Sequence, residues 1–191
     1  MLHYIIPSKA RRKILTLFFH SPQEHFYLRR VVREVNEEVN AVKRELDILH
    51  NGKVLVKERR LNKVFYALNK NYVFYDEFMR IFAKTTLLGE LVRKNISKIG
   101  KTKFIALSTR FVKQTEGKTE DIHLLFVGVI VVPEIVEIVN QVEKELKREI
   151  NYTVMTEDEL AYRKKNNDPF IWKFLRQPKV MLVGLEEDLM K

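Results

Sequence analysis

Only three residues, Asn36 to Glu38, separate two apolar stripes of helical period, Leu28-Val31-Val32-Val35 and Val39-Val42-Leu46-Leu49. Such spacing puts each set on one face of a helix, so the chain must turn sharply between two buried helical faces. Asn36 suits that turn, because its short polar side chain tolerates the left-handed backbone that a tight interhelical connection needs. Upstream, Pro7-Ser8 offers an N-cap for a helix over Lys9–His20, in which Ile14, Leu15, Phe18 and Phe19 recur at helical spacing before Ser21-Pro22 ends it. An extended piece at Phe26-Tyr27 leads into the second helix, and Asn51-Gly52 stops the third. The pattern then changes to the β-rich runs Val54–Arg59 and Val64–Leu68. Arg60-Leu61-Asn62-Lys63 joins them, which predicts a hairpin with a basic tip.

The excess positive charge lies with these elements. Of the 35 Lys and Arg and 25 Asp and Glu in the chain, 20 and 10 fall within Met1 to Gly100, so the formal net charge of +10 belongs to the first half. An asymmetry of this kind points to a polyanion as partner for one part of the molecule. The chain has no cysteine, which excludes disulfides and thiolate metal sites and fits a reducing compartment. No apolar run approaches the roughly 18 residues of a membrane span. The start Met-Leu-His-Tyr-Ile-Ile lacks the order of a signal peptide, so the expectation is a cytoplasmic protein without membrane association. With 191 residues the chain can form two small domains.

The order helix, short strand, helix, turn, helix, basic hairpin over residues 8–70 resembles winged helix-turn-helix transcription regulators of prokaryotic type. That resemblance implies double-stranded DNA as partner, with the third helix in the major groove and the hairpin as the wing. It implies paired hydrogen bonds from Asn40 to adenine and from Arg44 to guanine, with Lys43 on a flanking phosphate. Arg59, Arg60, Asn62 and Lys63 belong to the wing, and Arg29 and Arg30 lie outside the buried stripe of the second helix. Double-stranded RNA is disfavoured, because its deep, narrow major groove excludes a helix. Tyr72 to Lys94 carries Phe74, Phe78, Ile81, Phe82, Leu88, Leu91 and Val92 at helical intervals, interrupted near Thr85, Thr86 and Gly89. This reads as a long connecting helix that either packs on the second domain or pairs two copies, and a homodimer matches a two-fold operator.

From Lys103 strand and helix patterns alternate: strands at Phe104–Leu107, Ile122–Val127, Ile150–Met155 and Val180–Val183, and a helix over Glu134–Arg148. Thr156 with Glu159 makes a capping box, and Asp168-Pro169 a cap followed by a first-turn proline. The small α/β domain this predicts, with Leu107-Ser108, Asp121-Ile122-His123-Leu124-Leu125-Phe126-Val127-Gly128 and Asn167-Asp168-Pro169-Phe170, resembles minimal nucleotidyltransferases of the polymerase-β type. Active members of that family need a Gly-Ser pair, an Asp-x-Asp on a strand and a further carboxylate, which together hold magnesium ions and the triphosphate. Here Ser108-Thr109-Arg110-Phe111 stands in place of the Gly-Ser, His123 in place of the second Asp, and Asn151-Tyr152-Thr153 where the third carboxylate falls. Only Asp121 remains, and one carboxylate does not hold two metals.

The expectation is therefore a DNA-binding regulator of mixed α+β and α/β class with neither metal nor cofactor nor catalysis. It comprises a winged helix over residues 1–71, a helical linker or dimerisation segment over 72–99 and a silent nucleotidyltransferase-like domain over 100–191. Arg110, Lys113 and Lys118 leave a nucleotide ligand open. Trp172, Phe170 and Phe174 are expected to pack as core. The rival readings are an active magnesium-dependent nucleotidyltransferase, as in toxin–antitoxin systems, and an interaction protein of such a system.

Overall fold

The computed structural model describes residues 2–115 and 121–191 and shows a mixed α+β protein. The chain divides into two compact units, Met1–Phe82 and Ala83–Lys191.

In the first unit, α1 spans Lys9–His20, and the Ser8 side chain accepts the Arg11 backbone N–H as its N-cap. Strand β1 is Phe26–Tyr27, followed directly by α2, Leu28–Val35. Asn36 has φ 48° and ψ 61°, the left-handed turn that its side chain suits, and α3 runs from Val39 to Asn51. Strands β2, Leu55–Arg60, and β3, Lys63–Leu68, form an antiparallel hairpin, and β1 pairs with the other edge of β3. Arg60 and Lys63 are paired across this ladder. The connection is therefore the two residues Leu61-Asn62, tighter than the four-residue loop the sequence suggests. Helix α4, Tyr75–Ala83, follows.

The core of this unit comes from the apolar stripe of α1, with Phe18 edge-on to Phe26 at 5.0 Å and Phe19 stacked on Phe82 at 5.0 Å. On α3 the inward stripe is Val42, Glu45, Leu46 and Leu49. Val39 is 44% exposed and not part of it, because it sits in the open first turn after the Glu38 cap. Glu45 takes an inner position at 6% exposure, where it accepts hydrogen bonds from Ser8 Oγ and Arg11 Nε, both at 2.7 Å. A buried carboxylate is tolerated only when bonded in this way.

The expected single connecting helix over Tyr72–Lys94 is two helices, α4 and then α5, Leu87–Lys94. Thr86 caps α5 by accepting the Gly89 N–H at 3.3 Å, and its hydroxyl donates to Ala83 O at 2.7 Å. Apolar residues continue in helical phase across the break, which is why spacing alone suggests one helix. Gly89 allows the chain to fold back so closely that an added Cβ would lie 2.7 Å from Lys84 O and 2.8 Å from Ala83 O.

The second unit continues with α6, Ile96–Ile99, β4, Gly100–Ser108, α7, Thr109–Val112, and β5, Leu124–Ile130. Helix α8, Val132–Leu146, crosses to β6, Tyr152–Met155. Then come α9, Glu157–Lys165, α10, Pro169–Leu175, β7, Lys179–Val183, and α11, Glu186–Met190. The sheet order is β6-β5-β4-β7, with β5 and β6 parallel and the other pairs antiparallel. Alternation along β4 and β5 sends Ile105, Leu107, Leu124 and Phe126 to a core shared with α5 and α8. It sends Phe104, Ala106, Leu125 and Val127 to a second core with α9, α10 and α11. Both faces of these strands are covered, so they read as continuous apolar runs. β5 starts two residues later than its apolar run suggests, although the His123 N–H still donates to Asn151 O and its carbonyl accepts from the Ser108 N–H.

Two outcomes follow for stability. Gly89→Ala lowers it by about 1–3 kcal/mol, since backbone carbonyls must move; urea denaturation measures this, and a neutral result would show that the α4–α5 turn relaxes freely. Burial opposes the charge of Glu45, but the bonds from Ser8 and Arg11 outweigh it and hold the carboxyl below its ordinary 4.5. Its stabilisation is thus full above about pH 4.5 and fades as pH falls through the folded value. Glu45→Gln costs about 1 kcal/mol near neutrality and flattens the acid limb of the thermal midpoint against pH.

Candidate functional site

The cations of the first unit divide into those bound within the chain and those facing outward. Lys9 and Lys13 pair with Glu37 at 3.0 and 2.7 Å, and Arg11 pairs with Glu45. Arg12 donates to the carbonyls of Ile6 and Pro7. Arg30 pairs with Glu24 at 2.6 Å and lies over the Phe26 ring. Glu37 is held below the ordinary carboxylate range by its bonds to Lys13 and Lys9. It therefore belongs to the contact with α1.

Asn40, Lys43 and Arg44 share the outward face of α3, all exposed, with Glu38 as N-cap accepting the Ala41 N–H at 2.9 Å. Hydrogen bonds from the Asn40 and Ala41 N–H groups, with the charge of Arg44, keep the Glu38 carboxyl ionised to lower pH than usual. The side chains of Lys43 and Arg44 make no ion pair among the described residues. Arg29, on α2, is likewise exposed.

On the hairpin, Lys57 of β2 pairs with Asp47 of α3 at 2.8 Å, which ties the two elements together. Arg60 pairs with Glu58 at 2.6 Å and stands over Phe65, and the Lys63 ammonium stands over Tyr27 at 4.8 Å. Arg59 and Asn62 are exposed. α3 thus contributes Asn40, Lys43 and Arg44, and the two faces of the hairpin Arg59 and Lys63, as exposed side chains of one compact unit, while Arg30 and Arg60 each have a carboxylate partner. Leu61, at the apex, is a residue that charge and spacing do not single out. Its only sequence signal is an apolar side chain in a polar turn.

In the second unit, Asp121 is 7% exposed and is bridged by Lys173 at 2.5 Å and Arg110 at 3.6 Å. Two cations thus neutralise the carboxylate, which makes it an internal counter-ion. Nothing in the sequence couples Asp121 to Lys173, which α10 brings in from 52 residues away. His123 accepts the Asn151 N–H at Nδ1, 3.0 Å away, and lies against Phe111. Burial, and then Arg148, depress its pKa, so the imidazole is neutral with its proton on Nε2. Ser108 is buried at the end of β4. Asp121, Ile122, Pro169, Phe170, Lys173, Phe174 and Gln177 line a cleft of about 270 Å³. Phe174 packs as core, as expected, while Phe170 is 44% exposed at the cleft and Trp172 is half-buried, donating from Nε1 to Lys164 O. Lys118 lies outside the described residues.

Among the described residues no three His, Asp or Glu side chains stand close enough to hold a metal ion, and no helix is long and apolar enough to cross a membrane. Comparison with known proteins finds no matching family model, no matching curated protein and no matching solved structure.

Proposed function

We propose that the first unit is a winged helix that binds double-stranded DNA, and that the chain is a transcription regulator. In this reading the second unit is a catalytically silent, nucleotidyltransferase-like domain. One observation carries it. The α1 cations are taken up by carboxylates and carbonyls, whereas Lys43 and Arg44 stand exposed with Asn40 on one face of α3, without an ion pair among the described residues. Outward amide and guanidinium groups four residues apart suit bidentate bonds to adenine and guanine edges in the major groove. Arg59 and Lys63 on the hairpin, with Lys43 and Arg29, supply phosphate contacts that set the register. Arg30 and Arg60 rank behind them, because each already has a carboxylate partner.

A homodimer completes the reading, since two copies place two α3 helices on successive groove turns. The exposed Val73, Phe74 and Ile81 give such a pair apolar surface. A cytoplasmic location goes with this function.

A second reading concerns the cleft at Asp121. The aromatic Phe170 beside Lys173 and Gln177 favours a nucleotide as ligand. The double pairing of Asp121 speaks for binding rather than magnesium-dependent transfer. Incubation with labelled nucleoside triphosphates and magnesium separates the two, because covalent incorporation abolished by Asp121→Ala would establish an enzyme.

Binding to duplexes selected from random DNA tests the main reading. Arg44→Ala weakens binding to the selected site by about 1–3 kcal/mol and relaxes preference at one base pair. Arg59→Ala weakens binding to all sequences alike and lowers the slope of log K against log salt by about one. Equal affinities for the wild-type chain and both variants would remove the assignment.

A further inference from the structure

The tip of the β2–β3 hairpin stands clear of the core, and the nine residues from Val56 to Val64 are all exposed. Beyond the rungs where β1 pairs with β3, two further rungs and the turn project, by roughly 10 Å at about 3.3 Å per residue. At its apex Leu61 is 95% exposed, more than any other large hydrophobic side chain described. It also has φ +53°, a left-handed backbone that a bulky side chain adopts only under strain and that glycine or asparagine adopts readily. A polar residue at this position would lower both costs, so burial within the chain does not account for the leucine.

Its surroundings are cationic and well supported. Arg59, Arg60 and Lys63 flank it, and Tyr27 and Phe65, edge to face at 5.8 Å, carry Lys63 and Arg60 on their rings. An apolar point inside a cationic collar matches a surface with phosphates on either side of stacked apolar rings. The minor groove of DNA is such a surface. At about 6 Å across it admits a narrow ribbon tip, and apolar side chains can unstack a base step there. An anionic membrane offers phosphates too, but a single leucine buries too little surface to anchor a chain in lipid.

We propose that Leu61 is a wedge that the hairpin tip inserts into the minor groove of double-stranded DNA, opening a base step and bending the duplex. Arg59, Arg60 and Lys63 hold the flanking phosphates. This rests on the DNA-binding reading of the first unit and names the groove, the contact and the deformation.

The test uses the full chain and a duplex that the wild-type protein selects from random DNA, labelled at its two ends with a donor and an acceptor dye. The wild type raises energy transfer on binding, as does Leu61→Met. Leu61→Asn, whose side chain suits the left-handed turn, has a thermal midpoint no lower than the wild type, keeps the salt slope, binds about tenfold more weakly and leaves the duplex straight. Should Leu61→Asn bend the duplex as the wild type does, while Arg59→Ala still lowers the salt slope, the wedge is wrong and the DNA-binding reading stands. If no duplex is bound with a salt-dependent affinity, both fall. Binding to phosphatidylserine vesicles that Leu61→Asn abolishes, with DNA bending untouched, would likewise overturn the wedge in favour of a lipid contact.

Discussion

The buried carboxylate of Glu45 decides which way α3 faces. A charge removed from water must be compensated on the spot, and Ser8 Oγ and Arg11 Nε provide that compensation from the start of α1. Because the acid lies in the same stripe as Val42, Leu46 and Leu49, any rotation of α3 about its axis would strand it. Glu37, just before the cap of α3, repeats the device with Lys9 and Lys13, and Asn36 fixes the angle at which α3 leaves α2. These polar locks work from within. They leave Asn40, Lys43 and Arg44 on the far side as a matter of geometry, and Asp47 extends the arrangement to the hairpin through Lys57.

Features decided within a few residues could be read from the sequence. The Ser8 cap, the extent of α1, the left-handed Asn36, the Thr156 cap and the Asp168-Pro169 start of α10 all depend on neighbours in the chain. Features decided by distant partners could not. Spacing carries α4 through Thr86 into α5, because apolar phase says nothing about a carbonyl lying 2.7 Å from the place of a Cβ on Gly89. It assigns Val39 to the core, because it cannot show that Glu45 occupies an inner position. The candidate face on α3 was visible because exposure follows from helical period. The cations taken up by Glu24 and Glu58 looked equally available until their partners were placed.

The second unit shows how the chemistry of a side chain depends on its neighbours. Asp121 is buried, yet its pairing with Lys173 and Arg110 turns an acid that spacing offers as a metal ligand into half of an internal charge balance. His123 stands two residues further on, but its Nδ1 is occupied by a backbone N–H and its ring is packed on Phe111. Both groups thus have their partners within the unit. A visitor to the adjoining cleft would meet Phe170, Gln177 and the ammonium of Lys173 first.

The strand order of the second sheet sets a timetable for the growing chain. Every pairing in the first sheet is made between residues 26 and 68, so it can close early in translation. β4, by contrast, lies between β5 and β7, and β7 comes from Lys179–Val183, near the end of the described chain. Until the ribosome has released that segment, one side of β4 exposes unsatisfied amides and carbonyls next to apolar side chains, a surface prone to pair with a foreign strand. Nascent chains stalled before Lys179 should therefore depend on chaperone cover in a way that chains stalled just after Leu68 do not.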